Sequence, residues 1–205
     1  MKKFELTAEF VTNVFGKKLF RIKALVAFGN VEKGELGGFI EKEDNLSHDG
    51  NAWVSGDARV SGNAWVSGDA QVSGDARVSG NAWVYGNAQV SGNAQVSGDA
   101  RVSGNAWVSG DAQVSGDARV SGNARVSGNA DYAVVKGFGR CFRTTTFFRC
   151  KDKILRVQCG CFYGDLAQFR EIVKKTHGDR KYAKEYLAIA DLMELHFSDE
   201  CGGEQ

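Results

Sequence analysis

The sequence contains no proline, no long apolar run and no excess of one charge. The absence of proline excludes collagen, PxxP ligands and proline-rich linkers. No apolar run approaches the roughly 18 residues of a membrane span, and the N-terminal segment is charged without the apolar core of a secretory signal. Because 26 Lys and Arg balance 25 Asp and Glu, we expect neither a DNA-mimicking polyacid nor a histone-like polycation.

Cysteine and histidine are also scarce over most of the chain. All five cysteines follow residue 140, and their odd number favours reduced thiols in a cytosol over a disulfide framework. The three histidines are His48, His177 and His196. The centre of the chain, residues 51–134, therefore contains neither a cysteine nor a histidine.

The centre of the chain is instead a repeat. From Asn51 onward the phrase [Asn/Asp]-Ala-x-Val-Ser-Gly recurs every six residues in thirteen consecutive copies, followed by a degenerate copy at residues 129–134. A period of six does not fit an α-helix, but it fits three short strands per coil of 18 residues. Ala and Val lie two residues apart and share one side of a strand, while Gly beside Asn or Asp suits a corner. The pattern predicts a three-sided solenoid of about five coils with a valine and alanine core.

The repeats resemble the hexapeptide-repeat family of left-handed parallel β-helices, with valines from Val54 to Val126 each preceded by Ala two residues earlier. The resemblance implies the left hand of the solenoid. Many members of that family are acyltransferases and some are zinc-dependent carbonic anhydrases, and both use histidines of the coils. Here no histidine lies in the repeats and no loop interrupts them. We therefore expect a scaffold or a binding surface, not catalysis by the coils.

The flanks differ from the repeats, so we predict a mainly β protein with three parts. Residues 1–50 form an N-terminal β cap, which closes the open core of a solenoid, and residues 51–134 form the β-helix. Residues 135–205 form a small α+β domain of β-β-α-α order, with strands over 141–149 and 154–162. A first helix starts after Asp165, which resembles an N-cap with Gln168 three residues on, and ends at Gly178. A second helix, capped by Asp179, runs to Phe197.

The variable third residue of each repeat is expected to point outward. Placed on coils of 18 residues, these residues stack on three faces. The first face carries Trp53, Gln71, Gln89, Trp107 and Arg125, the second Trp65, Trp83, Arg101 and Arg119, and the third Arg59, Arg77, Gln95 and Gln113. Each of these arginines except Arg125 follows an Asp two residues earlier, so no face is a continuous cationic track.

Four outward tryptophans require a partner or a cover. Tyr85 replaces Ser two residues after Trp83, and aromatic residues with arginine are typical of interface hot spots. They also suit stacking on a base beside a phosphate. Three occupants remain open: the C-terminal helices or a second copy of the chain, an external protein, or a nucleotide or nucleic acid. The candidate partner-binding residues are Trp53, Trp65, Trp83, Tyr85, Arg101, Trp107 and Arg119.

The one strong charge imbalance lies between Lys136 and Arg156, where seven basic residues accompany a single acid, Asp152. Interleaved phenylalanines and three threonines favour an anion site for phosphate, nucleotide or nucleic acid. The alternative is a solvated hairpin whose cations discourage edge pairing. The candidate anion-binding residues are Arg140, Arg143, Thr144, Thr145, Arg149, Lys151 and Lys153.

The cysteines allow two further chemistries that we weigh as alternatives. Cys141, Cys150, Cys159 and Cys161 lack the spacing of a zinc knuckle, so we expect no metal and no cofactor. Cys159 or Cys161 could act as a nucleophile with His177 as base and Asp179 as orienting group. Buried small side chains and helix caps explain the same residues without catalysis.

Taken together with phrases outside them, the repeats make nearly the whole chain resemble proteins encoded by phages and prophages of gut-associated bacteria. The phrases that carry this resemblance are FRIKAL at 20–25, GELGGFIE at 34–41, TTT at 144–146, CGCF at 159–162 and THGD at 176–179. The resemblance implies a setting and no activity. We expect a non-enzymatic protein of the bacterial host cytosol that self-associates and inhibits a host protein, with antiviral defence such as CRISPR as the leading context, by steric occlusion. The alternatives are a nucleotide-signal sponge or nucleic-acid-binding module and a thiol-dependent enzyme.

Overall fold

A computed structural model of the 205-residue chain describes residues 2–198. It contains two compact units that meet between Asn129 and Ala130, whereas the sequence placed the end of the solenoid at residue 134. The degenerate last repeat forms no coil: it makes a 3-10 turn at Asn129–Asp131 and then enters a long strand. Its buried valine position is held by Tyr132, which is too large for a core that accommodates valine at this place in each preceding coil.

The first unit opens with three strands, β1 (Phe4–Thr12), β2 (Lys18–Ala24) and β3 (Leu36–Ile40), and a 3-10 turn at Glu43–Asn45. Thirteen two-residue strands follow, one per repeat. They are β4 (Trp53–Val54), β5 (Arg59–Val60), β6 (Trp65–Val66), β7 (Gln71–Val72), β8 (Arg77–Val78), β9 (Trp83–Val84), β10 (Gln89–Val90), β11 (Gln95–Val96), β12 (Arg101–Val102), β13 (Trp107–Val108), β14 (Gln113–Val114), β15 (Arg119–Val120) and β16 (Arg125–Val126).

The predicted parallel β-solenoid and its three faces are confirmed. The sheets run β4-β7-β10-β13-β16, β6-β9-β12-β15 and β3-β5-β8-β11-β14, with all pairs after β3 parallel. Partners lie 18 residues apart, as in Trp65 opposite Trp83. Every alanine and valine of the thirteen repeats is at most 1% exposed, so the core is continuous along the solenoid.

The corners of the coils explain the Gly and Asn of the repeat. The corner glycines from Gly50 to Gly122 have φ between +58° and +70°, where a side chain would be strained. Beside them, corner amides bond from one coil to the next, as in Asn81 Nδ2 donating to Asp99 Oδ1 at 3.0 Å. Both features repeat every coil and hold the faces in register.

The cap closes one end of the solenoid and covers one predicted surface residue. Strands β1, β2 and β3 pair antiparallel, and β3 continues in parallel onto β5. Trp53 lies beneath this layer with its ring centroid 5.4 Å from that of Phe28, and it is only 2% exposed. The expectation of an outward Trp53 is therefore wrong, because the cap occupies the space outside the first coil.

Over residues 130–198, the described part of the second unit, there are four strands where the sequence predicted two. An antiparallel sheet of order β17-β18-β19-β20 is built from β17 (Tyr132–Phe138), β18 (Arg143–Arg149), β19 (Leu155–Cys159) and β20 (Phe162–Asp165). The degenerate repeat supplies β17, and a turn at Gly160, with φ +60°, divides the predicted second strand into a hairpin.

Two helices pack on this sheet. Helix α1 (Leu166–His177) starts at the predicted cap, where Asp165 accepts from Gln168 N at 2.8 Å, and ends at Gly178 as expected. Helix α2 (Lys181–Phe197) follows, but its N-cap is Arg180 without a side-chain cap bond, so the prediction of Asp179 as cap is wrong. Within residues 2–198, no helix is long and apolar enough to cross a membrane.

Candidate functional site

Two adjacent tryptophans form the floor of a groove on the solenoid. Trp65 in β6 and Trp83 in β9 occupy the same position in successive coils, so the pairing of the strands brings their rings together. The centroids lie 5.6 Å apart with the planes at 85°, an edge-to-face contact. Each ring still exposes about two-fifths of its surface, 39% for Trp65 and 41% for Trp83.

The wall of this groove is the segment between the cap and the first repeat. Leu46 forms a parallel bridge with Val66, which places the segment beside β6. Asn45 is buried and anchors it, because its amide donates to the carbonyls of Gly62 at 3.1 Å and Ala64 at 2.8 Å. The resulting aromatic groove has a volume of about 770 Å³ and is lined by Glu43, Asp44, Leu46, Ser47, His48, Asp49, Asn63, Trp65 and Trp83.

The aromatic groove is acidic. Glu43, Asp44 and Asp49 line it, and no lysine or arginine does. Glu43 accepts from His48 Nε2 at 2.7 Å and pairs with Lys2 at 3.2 Å, and these contacts lower the pKa of the Glu43 carboxyl. Glu43 therefore stays ionised at a lower pH than an isolated glutamate would.

The other predicted partner-binding residues lie outside the groove lining. Arg101 places its guanidinium 5.0 Å from the ring of Trp83, and Tyr85 and Arg119 are exposed on the solenoid surface. Trp107 lies on a different face, 44% exposed, with the Arg125 guanidinium 4.2 Å from its ring. The structure thus brings together Trp65, Trp83 and Arg101 and leaves Trp107 apart.

The second unit has a cavity of its own, about 340 Å³ in volume. It forms between the turn joining β17 to β18, the end of β19, and both helices. Its lining consists of Arg140, Cys141, Arg143, Cys159, Phe162, Phe169, Ile172, Val173, Thr176, His177 and Tyr186. The lining holds two arginines and no carboxylate, so its charge is opposite to that of the aromatic groove.

A hydroxyl network surrounds the thiol at this cavity. Thr145 Oγ1 lies 3.2 Å from Cys159 Sγ, and Tyr186 Oη donates to the carbonyl of Phe138 at 3.3 Å. Burial, followed by the neighbouring Cys159 thiol, raises the pKa of Tyr186 to about 12. Tyr186 is therefore a neutral phenol at physiological pH, and the ring of His177 stacks on it at 6.0 Å.

The predicted thiol triad is not assembled. Cys159 and His177 both line the cavity, but Cys161 and Asp179 are exposed and do not. In the part of the chain that is described, no hydrogen bond joins His177 to Asp179, and no group of three His, Cys, Asp or Glu residues is arranged to hold a metal ion.

The predicted anion site is divided among three places. Arg140 and Arg143 line the cavity, whereas Arg149 donates to the carbonyl of Phe197 at 3.0 Å. Lys151 and Lys153 are exposed in the turn after β18, and Thr144 is half-buried. Thr145 is 2% exposed and contacts Cys159, so its prediction as an anion ligand is wrong: its side chain faces the core between the sheet and the helices.

Sequence reasoning missed Tyr186, Phe169 and Thr176 as cavity residues. The apolar spacing along the helices signalled that Phe169 and Tyr186 would be buried. Nothing in that spacing showed that a cavity with two arginines would form against them.

The fold makes the chain a β-solenoid repeat protein. A family model described as the YdcK β-solenoid repeat matches residues 51–68, 70–86, 94–110 and 112–128, which is similarity confined to the coils. No curated protein matches the chain.

Proposed function

We propose that the protein is a non-enzymatic binding protein whose aromatic groove captures a lysine- or arginine-bearing segment of a partner protein. The observation that carries the proposal is the pairing of Trp65 with Trp83 in a groove walled by acids. Exposed tryptophans at the centre of a concave surface are the usual anchors of protein interfaces.

The charge of the groove selects the occupant. Three carboxylates line it and no lysine or arginine does. Lys2 pairs with Glu43 at its edge, which leaves Asp44 and Asp49 as the acids whose electrostatic complementarity favours a basic segment. The face already accommodates a guanidinium on an indole, since Arg101 lies 5.0 Å from the ring of Trp83. A partner's cation stacked on the neighbouring Trp65 would use the same attraction. Nucleic acid is disfavoured here because the carboxylates repel phosphate.

The phage resemblance supplies a context for this binding. We propose that the partner is a host protein, with antiviral defence as the leading setting, and that the protein acts in the bacterial cytosol. The mechanism would be steric occlusion by a rigid face, because the backbone bonds between successive coils hold the tryptophans in place before the partner arrives. We also propose that the protein self-associates. Light scattering of the purified chain would then give a mass above that of one chain.

The test replaces both tryptophans of the groove. Trp65→Ala with Trp83→Ala should abolish capture of partner proteins from bacterial lysate, whereas Trp107→Ala, a tryptophan of equal repeat position and similar exposure on another face, should leave capture intact. A photo-cross-linking residue at Asn63, in the groove lining, should attach to the captured protein. Equal capture by the double variant and the control would refute the proposal.

A second pair of variants separates charge from shape. Asp44→Asn with Asp49→Asn should slow association and weaken its dependence on salt. Asp57→Asn with Asp75→Asn, corner residues away from the groove, should not. A partner whose binding is unaffected by the groove carboxylates, or strengthened by their loss, would contradict a basic occupant.

A further inference from the structure

We propose that the cavity of the second unit binds a small organic anion, with its carboxylate or phosphate held by Arg140 and Arg143 and its apolar body on Phe162, Phe169, Ile172 and Val173. This inference does not depend on the function proposed for the aromatic groove, because it concerns a different unit and a ligand of opposite charge.

The size and the lining of the cavity set the class of ligand. A volume of about 340 Å³ lies at the lower end of the range of about 300–1,000 Å³ that small-molecule sites occupy. Phe169 is 2% exposed and meets the rings of Phe162 at 5.6 Å and Tyr186 at 5.7 Å. The apolar floor is therefore formed before a ligand arrives and suits a body about the size of one ring.

The charge of the cavity is one-sided. Among residues 2–198, no carboxylate forms an ion pair with Arg140 or Arg143, although Arg156 and Arg170 in the same unit pair with acids at 2.8 Å and 2.7 Å. Both arginines are exposed at the cavity. Arginines that line an apolar cavity without a counter-ion attract an anion, and the guanidinium fork fits both carboxylate and phosphate.

The turn that carries the arginines is tied to helix α2. Glu185 Oε2 accepts from Gly139 N at 2.9 Å, and Tyr186 Oη donates to the carbonyl of Phe138 at 3.3 Å. A Cβ on Gly139 would collide with the Tyr186 hydroxyl, so glycine is needed for this close approach. These contacts fix the start of the turn immediately before Arg140.

The same turn holds an unusual backbone conformation. Phe142 has φ +49° although its ring is 66% exposed, so packing of the ring gives no reason for the strain. Bulky residues in this region are strained and tend to occur at functional sites. Arg143, which follows this turn, packs closely against Gly160: a Cβ on Gly160 would lie 2.5 Å from Arg143 Nη1.

The remaining cations do not extend this site into a nucleic-acid track. Lys151 and Lys153 lie at the other end of β18, which spans Arg143–Arg149. Seven residues of strand separate the two ends by roughly 20 Å. A compact anion that enters the cavity fits this distribution better than a polyanion.

The test is isothermal titration of the full chain with phenyl phosphate and with phenylacetate. We expect at least one to bind, and the tighter of the two identifies the head group. Inorganic phosphate, which lacks the apolar body, and neutral phenylacetamide should bind about tenfold more weakly or not at all.

Matched variants place the binding in the cavity. Arg140→Gln with Arg143→Gln should weaken it about tenfold or more, whereas Lys151→Gln with Lys153→Gln should not. Ile172→Trp, which fills the cavity without changing charge, should also abolish binding, and circular dichroism should show both cavity variants folded. Failure of both anions to bind, or equal binding by the two double variants, would overturn the proposal. Partner capture through Trp65 and Trp83 would be unaffected by these changes, so the two proposals fail separately.

Discussion

The solenoid and the C-terminal unit place their surface residues by different rules. On the solenoid a residue's face follows from its position in the repeat, and Trp65 meets Trp83 because they are one coil apart. In the C-terminal unit the cavity joins residues from a turn, three strands and two helices that share no period. Periodicity therefore reveals which residues are neighbours, while an irregular α+β unit has to be folded before its neighbours are known.

The two regions also differ in charge, although the whole chain is nearly neutral at +1. The aromatic groove has three carboxylates and no Lys or Arg, and the cavity has two arginines and no carboxylate. Ligands of opposite charge would occupy them. The net charge of the chain hides this difference because the opposite charges cancel in the sum. The difference becomes visible only when the lining of each site is considered by itself.

The largest effect is expected from a core change in the C-terminal unit. Phe147 is fully buried in the cluster between sheet and helices, and Phe147→Ala should destabilise that unit by about 3–5 kcal/mol. Thermal unfolding followed by circular dichroism should show the helical signal lost at lower temperature while the β signal of the coils persists. Simultaneous loss of both signals would break the distinction between the two units.

A glycine pair tests whether stacking limits the solenoid. Gly80→Ala puts a Cβ 2.9 Å from Gly98 N, whereas the same change at Gly116 meets nothing within 4 Å. Each variant should lose about 1–2 kcal/mol of unfolding free energy because alanine is disfavoured at positive φ. Any further loss in Gly80→Ala therefore measures the contact between coils. Chemical denaturation provides the comparison, and equal losses would show that the corners tolerate a methyl group.

The cap provides a pH-dependent test at the opposite end of the chain. Lys3 is 3% exposed, with Nζ donating to the carbonyl of Ala52 at 2.9 Å, and burial lowers its pKa from 10.5 to about 8. The folded chain thus loses this proton before the unfolded chain does, so the contribution of Lys3 to stability rises between pH 8 and 10.5.

The measurement compares Lys3→Met with Lys33→Met. Over that pH window the wild-type chain should gain stability relative to Lys3→Met, and the difference should level off below pH 8. Lys33 is exposed and serves as the matched control for removing a lysine from the cap. A flat difference for Lys3 would show that its ammonium is solvated in the folded chain.

The smallest effect concerns the cap of α1. Asp165 and Gln168 form reciprocal bonds at 2.8 Å and 3.0 Å, and Asp165→Ala should cost about 1 kcal/mol of the stability of the C-terminal unit. Asp179→Ala serves as the control because Asp179 is not the cap of α2. A larger loss at Asp179 would reverse this assignment.

Prediction from sequence succeeded where the six-residue repeat sets the position of each side chain. It failed where a segment distant in sequence packs against those positions. Counting placed Trp65, Trp83 and Arg101 on one face, and the cap motif located the start of α1. Trp53 follows the same count but is buried, because the cap that covers it lies outside the period. Thr144 and Thr145 are neighbours on β18, so their side chains point to opposite sides of the sheet. The sequence did not show that Thr145 lies on the side that the helices cover.

The 18-residue spacing between paired positions has a genetic consequence. Loss or gain of three whole repeats by recombination within this near-identical stretch would shorten or lengthen the rod by one layer, about 4.8 Å, and return every downstream side chain to its original azimuth. Loss of a single repeat would rotate everything downstream by a third of a revolution. Variants that differ by multiples of three repeats should therefore keep their surface chemistry aligned, whereas other length changes would scramble it.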